Sequence, residues 1–283
     1  SQEHFKVLEE YIKSLGELGQ KAVTVIVSEI PWSGQRCFRV TNYLSNLFEY
    51  SMIPVERNAQ GRYSFDFSVL KRYIELCFQY GIDKEIEVFG LVNIWISQED
   101  GYGGVAEDYP DAIRVRYYDR ADGCYKYMKS AEDIKCYIKA LEGFFIENGW
   151  IDRVRVVADE PSDVELYRRR LNLLKEIAPS FKYKTAINHA VFISEFKDEI
   201  DDFVPVLPCV CEEWELLSQL RGSIRGRLMW YVCCWPPIPN TFISSPLLES
   251  RLIGILTAYM DFDGFLRWNY TVWPERPRER ISY

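Results

Sequence analysis

Two neighbouring carboxylates, Asp159 and Glu160, are the residues of this chain best placed for acid–base chemistry. They follow the run 154–158 (VRVVA), whose small and apolar residues predict a strand buried on both faces of a parallel sheet. A proline then ends the strand, and Ser162 is the predicted N-cap of a helix beginning near Asp163. Acids at the end of a buried parallel strand lie where (β/α) barrels place catalytic groups. Acids at such a junction are also typical of simple charge complementation of the following helix.

The segments around this strand alternate between strand and helix patterns. Apolar runs predict strands at 23–27, 87–92, 154–159, 183–187, 203–207, 227–233 and 264–268. Helical spacing predicts helices at 4–18, 69–80 (capped by Ser68), 131–148, 163–178, 212–221 and 247–262. Such alternation favours an α/β fold with a parallel sheet, and this many units favours a closed (β/α)8 TIM-like barrel. Seven strands are one fewer than eight; since the chain begins with a helix, we expect the first strand to lie upstream, or in a segment whose pattern does not reveal it.

Two segments depart from this alternation. Residues 50–67 resemble a β-hairpin that turns at 58–61 (NAQG). Residues 97–129 contain alternating apolar and charged positions and the hairpin signal Asp122-Gly123. We therefore expect one barrel domain over 1–283, with an insertion at 97–129 that helps to wall a cleft.

Charge and hydropathy exclude several classes of partner. The formal net charge of −8 leaves no basic stripe for a nucleic-acid backbone. No apolar run reaches the roughly 18 residues of a membrane span, and no signal peptide is visible. We expect no nucleic-acid partner and no membrane span, and the sequence does not indicate an oligomeric state.

The cysteines and histidines do not form a metal motif. Eight cysteines are too few for a disulfide scaffold, and the pair in 209–211 (CVC) has the wrong spacing for a zinc knuckle. Only His4 and His189 could add imidazole ligands. No metal and no cofactor are expected, and reduced thiols without a visible signal peptide slightly favour a cytoplasmic compartment.

The residues that follow the other predicted strands are rich in carboxylates, carboxamides and indoles. They include Glu29, Asn93, Asn188, His189, Glu213, Trp214, Tyr231, Arg267, Trp268 and Trp273. Glycosidic chemistry requires an acid for the leaving oxygen and an anion beside a cationic centre, and aromatic side chains offer flat faces for stacking on sugars. A single indole or imidazole at such a position is often only a packing residue, but the collection favours carbohydrate binding.

Several longer motifs resemble glycoside hydrolase family 123. They are 157–161 (VADEP), 230–231 (WY) with 236–237 (PP), 264–274 (GFLRWNYTVWP) and 63–67 (YSFDF). They occur in the family's order, and the similarity runs from about residue 5 to the end of the chain.

This resemblance implies a (β/α)8 catalytic barrel that hydrolyses β-N-acetylgalactosaminides, in oligosaccharides or glycoconjugates, with retention. It implies substrate assistance, in which the acetamido oxygen of the substrate attacks the anomeric carbon. Glu160 would be the general acid/base, and Asp159 would orient the acetamido group and stabilise the oxazolinium ion. Tyr231 would contact the acetamido oxygen, and Trp268 or Trp273 would form the floor under the sugar.

Two alternatives remain open from the residues. One is a glycosidase of another specificity on the same barrel, and the other is a barrel that binds carbohydrate without turnover. The adjacent Asp159 and Glu160 argue against the second, because a binding module has no need for a neighbouring acid pair.

Overall fold

The computed structural model describes residues 2–29, 52–93, 105–233, 235–242 and 244–267. Two compact units make up the chain: Ser1–Val157 with Arg168–Phe181, and Ala158–Tyr167 with Lys182–Tyr283. Trp268 and Trp273 lie outside the described residues. The prediction of a single domain stays a prediction.

The predicted helices and strands occur in the predicted order with changed bounds, and two short helices at 191–196 and 207–212 were not predicted. The described elements are α1 (Gln2–Glu17), β1 (Ala22–Ile26), β2 (Val55–Arg57), β3 (Tyr63–Phe65), α2 (Ser68–Gln79), β4 (Glu85–Phe89), β5 (Arg116–Asp119), β6 (Cys124–Tyr127), α3 (Ala131–Glu147), β7 (Val154–Ala158), α4 (Val164–Ile177), β8 (Lys182–Ile187), α5 (Val191–Phe196), β9 (Asp202–Pro205), α6 (Leu207–Glu212), α7 (Trp214–Leu220), β10 (Trp230–Tyr231), α8 (Leu247–Tyr259) and β11 (Phe265–Leu266). None of these helices combines the length and apolar character needed to cross a membrane.

Parallel pairing organises the first unit. Strand β1 pairs with β4, and β4 pairs with β7, in both cases in parallel. Val25, Ile86 and Val154 lie on one face of this sheet and are completely buried, whereas Thr24 on the opposite face of β1 is exposed. This sheet brings the chain to Ala158, directly before the acid pair.

The two predicted hairpins are confirmed, and they join each other. Strands β2 and β3 are antiparallel, as are β5 and β6, and both turns contain a glycine with positive φ, Gly61 at 77° and Gly123 at 66°. Strand β2 also pairs in parallel with β5, which gives a separate four-stranded sheet in the order β3-β2-β5-β6. The sequence pattern did not predict that pairing.

Parallel pairing also organises the second unit. Strand β8 pairs with β9, and β10 pairs with β11. Bridges at Phe203–Leu228 and Val206–Tyr231 connect β9 to the segment that contains β10. The predicted α/β class with parallel strands is confirmed, whereas closure into an eight-stranded barrel stays a prediction.

The predicted strands 227–233 and 264–268 are shorter than expected, with two residues each in β10 and β11. Side-chain carboxylates accept hydrogen bonds from the backbone N–H groups just before β10. Asp202 Oδ1 accepts from Arg227 N at 2.7 Å, and Asp263 Oδ2 accepts from Leu228 N at 2.7 Å. These donors are therefore not available to extend the ladder.

Two predicted helix caps are wrong. Helix α4 begins at Val164, and its cap is Asp163, whose Oδ1 accepts from Leu166 N at 2.9 Å, rather than Ser162. Ser68 is the first residue of α2, not its cap.

Candidate active site

The acid pair lies on a strained turn at the end of β7. Glu160 has a φ of 43°, a left-handed conformation that costs a non-glycine residue about 1–2 kcal/mol. Its backbone N–H is held by Ala186 O at 3.1 Å, at the end of β8. Side chains of adjacent strand residues point to opposite faces, and this turn breaks that alternation directly after Asp159. Strain of this kind is concentrated at functional sites.

Asp159 is a partly buried carboxyl beside a second carboxyl. Burial, followed by the charge of Glu160, raises the pKa of Asp159 from 3.8 to about 7. Asp159 therefore gains or loses its proton near neutral pH, and the site disfavours two full negative charges on adjacent residues.

Glu160 receives a hydrogen bond on each carboxyl oxygen. The hydroxyl of Tyr231 donates to Oε1, and Asn188 Nδ2 donates to Oε2 at 3.2 Å. The two donors come from the ends of β10 and β8, so residues at two strand ends of the second unit meet at this carboxyl. The predicted residues Asp159, Glu160, Asn188 and Tyr231 are thus brought together.

Tyr231 is fixed as a hydrogen-bond donor. Its side chain is buried, and it pairs with Leu266 across the β10–β11 ladder. Burial raises the pKa of Tyr231 far above its ordinary value, and Glu160 and then Asp159 raise it further. The phenol therefore stays protonated and donates to Glu160.

His189 lies one residue beyond Asn188 and binds a different carboxylate. Its Nδ1 is 3.0 Å from Glu213 Oε1, and Glu213 Oε2 accepts from Ala190 N at 2.8 Å. Glu213 lies between α6 and α7, and the predicted helix 212–221 corresponds to α7 alone. Sequence reasoning placed Glu213 among the strand-end residues but gave no sign of this bond, because its partners lie 23 and 24 residues away.

The contacts of Trp214 and Arg267 are with residues other than the acid pair. The Trp214 indole, 41% exposed, lies 6.2 Å from the ring of Phe262. Arg267 donates to Val232 O at 3.0 Å and to Asn240 Oδ1 at 3.2 Å, so it braces the loop that follows β10. Their roles in substrate binding stay predictions, as do those of Trp268 and Trp273, which lie outside the described residues.

Asn240 is a central residue of that loop which sequence reasoning missed. Its side chain is completely buried and donates to Cys233 O at 2.8 Å and Pro236 O at 3.2 Å. Its Oδ1 accepts from Thr241 N at 2.8 Å in addition to Arg267. Hydrogen bonds from the buried Asn240 side chain therefore fix the backbone of the loop after Tyr231.

The described side chains do not offer a metal centre. In the described ranges, no group of three or more His, Cys, Asp and Glu side chains could hold a metal ion. Asp159 and Glu160 can supply proton transfer and charge stabilisation, assisted by the neutral donors Tyr231 and Asn188.

A pair of carboxyl groups with neutral donors, at the ends of parallel strands in an α/β fold, is characteristic of the catalytic domains of glycoside hydrolases. The sequence profile of the catalytic domain of glycoside hydrolase 123 matches residues 1–283. The chain belongs to this family.

Solved structures agree with this assignment at the level of the fold. A family 123 glycoside hydrolase from Clostridium perfringens, studied for glycolipid glycan hydrolysis, superimposes with a TM-score of 0.73 at 20% identity. The match covers 100% of this chain and 47% of that one, so the chain spans less than half of its length. Domain 2 of a chitinase from Pyrococcus furiosus matches with a TM-score of 0.41 at 10% identity, over 91% of this chain and 77% of that one, which is too distant to support an argument. Comparison with curated protein sequences finds no match.

Proposed function

We propose that this domain hydrolyses β-N-acetylgalactosaminide linkages, terminal or internal, in oligosaccharides or glycoconjugates. Hydrolysis proceeds with retention, through attack of the substrate's own acetamido oxygen on the anomeric carbon. The observation that carries the proposal is the strained turn holding Asp159 and Glu160 side by side, with Tyr231 and Asn188 bound to Glu160. Family membership supplies the class of reaction.

Glu160 is the general acid and then the general base. It donates its proton to the glycosidic oxygen as the bond to the anomeric carbon breaks, and it later removes a proton from the attacking water. Tyr231 and Asn188 fix the orientation of its carboxyl group, and both donors stabilise the carboxylate left after proton transfer. Loss of either donor should therefore slow the step in which Glu160 gives up its proton.

Asp159 orients the acetamido group. As an anion it accepts the acetamido N–H and stabilises the positive charge that develops on the oxazolinium ring. Its pKa, which burial and Glu160 raise to about 7, falls when that N–H and that cation are adjacent, because both favour the ionised form. Binding of the acetamido group thus favours the ionised form of Asp159, and in the proposed reaction the proton that the pair carries then resides on Glu160, the general acid.

Adjacency in sequence fits this division of roles. In the retaining scheme with an enzyme nucleophile, the second carboxylate must reach the anomeric carbon from the face opposite the acid. Asp159 needs only to reach the acetamido N–H beside that carbon. Neighbouring residues on one turn can therefore carry both roles.

The remaining site residues bind the sugar. Asn188, His189 and Tyr231 supply polar contacts from the ends of β8 and β10. Trp214, Trp268 and Trp273 are proposed stacking residues, and Arg267 supports the loop after β10. No cofactor enters the proposed reaction.

The direct test compares three nitrophenyl substrates: the β-N-acetylgalactosaminide, the β-N-acetylglucosaminide and the plain β-galactoside. We expect the first to be hydrolysed fastest and the galactoside, which has no acetamido group, to be almost inert. Similar rates for the galactoside would exclude substrate assistance. Glu160→Gln should abolish turnover while leaving sugar binding largely intact, and unchanged turnover would refute the role of Glu160.

A further inference from the structure

Glu213 has a fixed backbone and a fully engaged carboxylate. Its N–H donates to Cys209 O at 2.9 Å, and its carbonyl accepts from Leu217 N at 3.0 Å, so the corner between α6 and α7 is fixed. Its two carboxylate oxygens accept from Ala190 N and face Nδ1 of His189. The carboxylate thus presents an acceptor to the imidazole from a rigid position.

An ionised carboxylate can only accept hydrogen bonds, so the Nδ1 atom that it contacts carries the proton. In the neutral ring, Nε2 is then a bare acceptor. The His189 side chain is 68% exposed, and among the described residues Nε2 has no partner. His189 directly follows Asn188, whose amide lies 3.2 Å from Glu160 Oε2, so the backbone of His189 is one residue away from a contact of the proposed general acid.

We propose that Glu213 is a positioning residue that fixes His189 as the Nδ1–H tautomer, so that Nε2 accepts a hydrogen bond from a hydroxyl group of the substrate. The ligand class is a neutral N-acetylhexosamine or the sugar linked to it, because both present hydroxyl donors and neither requires a charged partner. The inference rests on the proposed function and adds a determinant of substrate recognition to the same site.

Glu213 also has a structural task, which the test must separate from this role. It satisfies the backbone N–H of buried Ala190, directly before α5, so Glu213→Ala would remove that bond as well. Glu213→Gln keeps an oxygen for Ala190 N. Its amide N–H₂ donates to Nδ1 and thereby moves the ring proton to Nε2. This variant is expected to preserve the fold and to change the exposed Nε2 from a hydrogen-bond acceptor into a donor.

The first experiment is ¹⁵N NMR of the histidine side chains at alkaline pH, where the rings are neutral. The chain has two histidines, so His4→Gln, a substitution on exposed α1, assigns the His189 signals. We expect a protonated Nδ1 and a bare Nε2 in the wild type, and the reverse in Glu213→Gln. A wild-type ring protonated at Nε2 would overturn the inference. This readout does not depend on turnover.

The second experiment is a double-mutant cycle on kcat/KM with an aryl β-N-acetylgalactosaminide and with an oligosaccharide. We expect His189→Ala to lose about 5- to 10-fold, the effect of one neutral hydrogen bond. Glu213→Gln should cause no further loss in the His189→Ala background. A loss with both substrates places the contact on the N-acetylhexosamine, and a loss with the oligosaccharide alone places it on the leaving sugar.

An unchanged kcat/KM in His189→Ala, or an equal effect of Glu213→Gln with and without His189, would overturn the inference. If the wild type turns over no acetamido glycoside, the proposed function fails instead. The inference is then tested by titrating N-acetylgalactosamine into Glu160→Gln. A shift of the Nε2 signal supports the contact, and its absence refutes it.

Discussion

Replacing Asp159 by Asn should stabilise the folded protein at neutral and alkaline pH, although it removes a residue that the proposed reaction needs. Burial and Glu160 raise the pKa of Asp159 from 3.8 to about 7, so the folded state holds this proton more tightly than the unfolded chain. Stability from a raised carboxyl pKa is fully present below the unfolded value and is lost as pH rises through the folded value. The wild type should therefore lose stability between about pH 4 and pH 7 relative to Asp159→Asn.

The size of the effect follows from the same values. A rise of about three in the pKa of Asp159 corresponds to at most about 4 kcal/mol of unfolding free energy, at 1.36 kcal/mol for each pKa unit. Asp159 is partly exposed, so we expect about 2 kcal/mol above pH 7. Urea denaturation at a series of pH values measures the difference in unfolding free energy between the wild type and Asp159→Asn.

The matched control is Asp198→Asn, which makes the same change at an exposed aspartate of the same unit. Its free energy of unfolding should follow that of the wild type across the pH range. A gap between Asp159→Asn and wild type that does not grow with pH, or a variant less stable than wild type above pH 7, would refute the reasoning about the acid pair.

Three further predictions concern neighbouring residues. Tyr231→Phe removes a hydrogen bond to Glu160 and should lower kcat about 10- to 100-fold with an unchanged fold, measured by steady-state kinetics and circular dichroism; an unaltered kcat would contradict the contact. Glu160→Gly should be more stable than Glu160→Ala by about 1 kcal/mol in urea denaturation, because glycine tolerates a φ of 43°, and equal stabilities would argue against the strained turn. Asn240→Ala leaves several buried partners of the loop after β10 unsatisfied and should cost about 2–3 kcal/mol of unfolding free energy, whereas a cost below about 0.5 kcal/mol would show that the loop is held in another way.

The sequence predicted features that depend on neighbouring residues. The strand at 154–158, the acids after it and the turns at Gly61 and Gly123 each follow from local hydropathy and backbone preferences. The predicted helices and strands occur in the predicted order for the same reason, but the short helices α5 and α6 were not predicted.

Features that depend on distant partners could not be predicted. The ladder at β10 is short because Asp202 and Asp263, 25 and 35 residues away, take its backbone donors. Ser162 and Asp163 are both good caps, and the choice between them depends on where α4 begins.

The candidate site shows the same limit. The acid pair is a local motif, but its donors Tyr231 and Asn188 lie 71 and 28 residues from Glu160. The family resemblance indicated Tyr231. Nothing in the sequence around Glu213 or Asn240 indicated the bonds that they form.

In the proposed reaction the substrate's acetamido oxygen is the nucleophile, with Asp159 and Glu160 assisting it. The most direct measurement is kcat/KM for aryl β-N-acetylgalactosaminides whose acetyl methyl group carries from none to three fluorine atoms. Fluorine withdraws electron density from the carbonyl oxygen. If that oxygen is the nucleophile, kcat/KM should fall steeply and progressively along the series. Equal rates across the series would contradict it, because the acetamido oxygen would then take no part in forming the bond to the anomeric carbon.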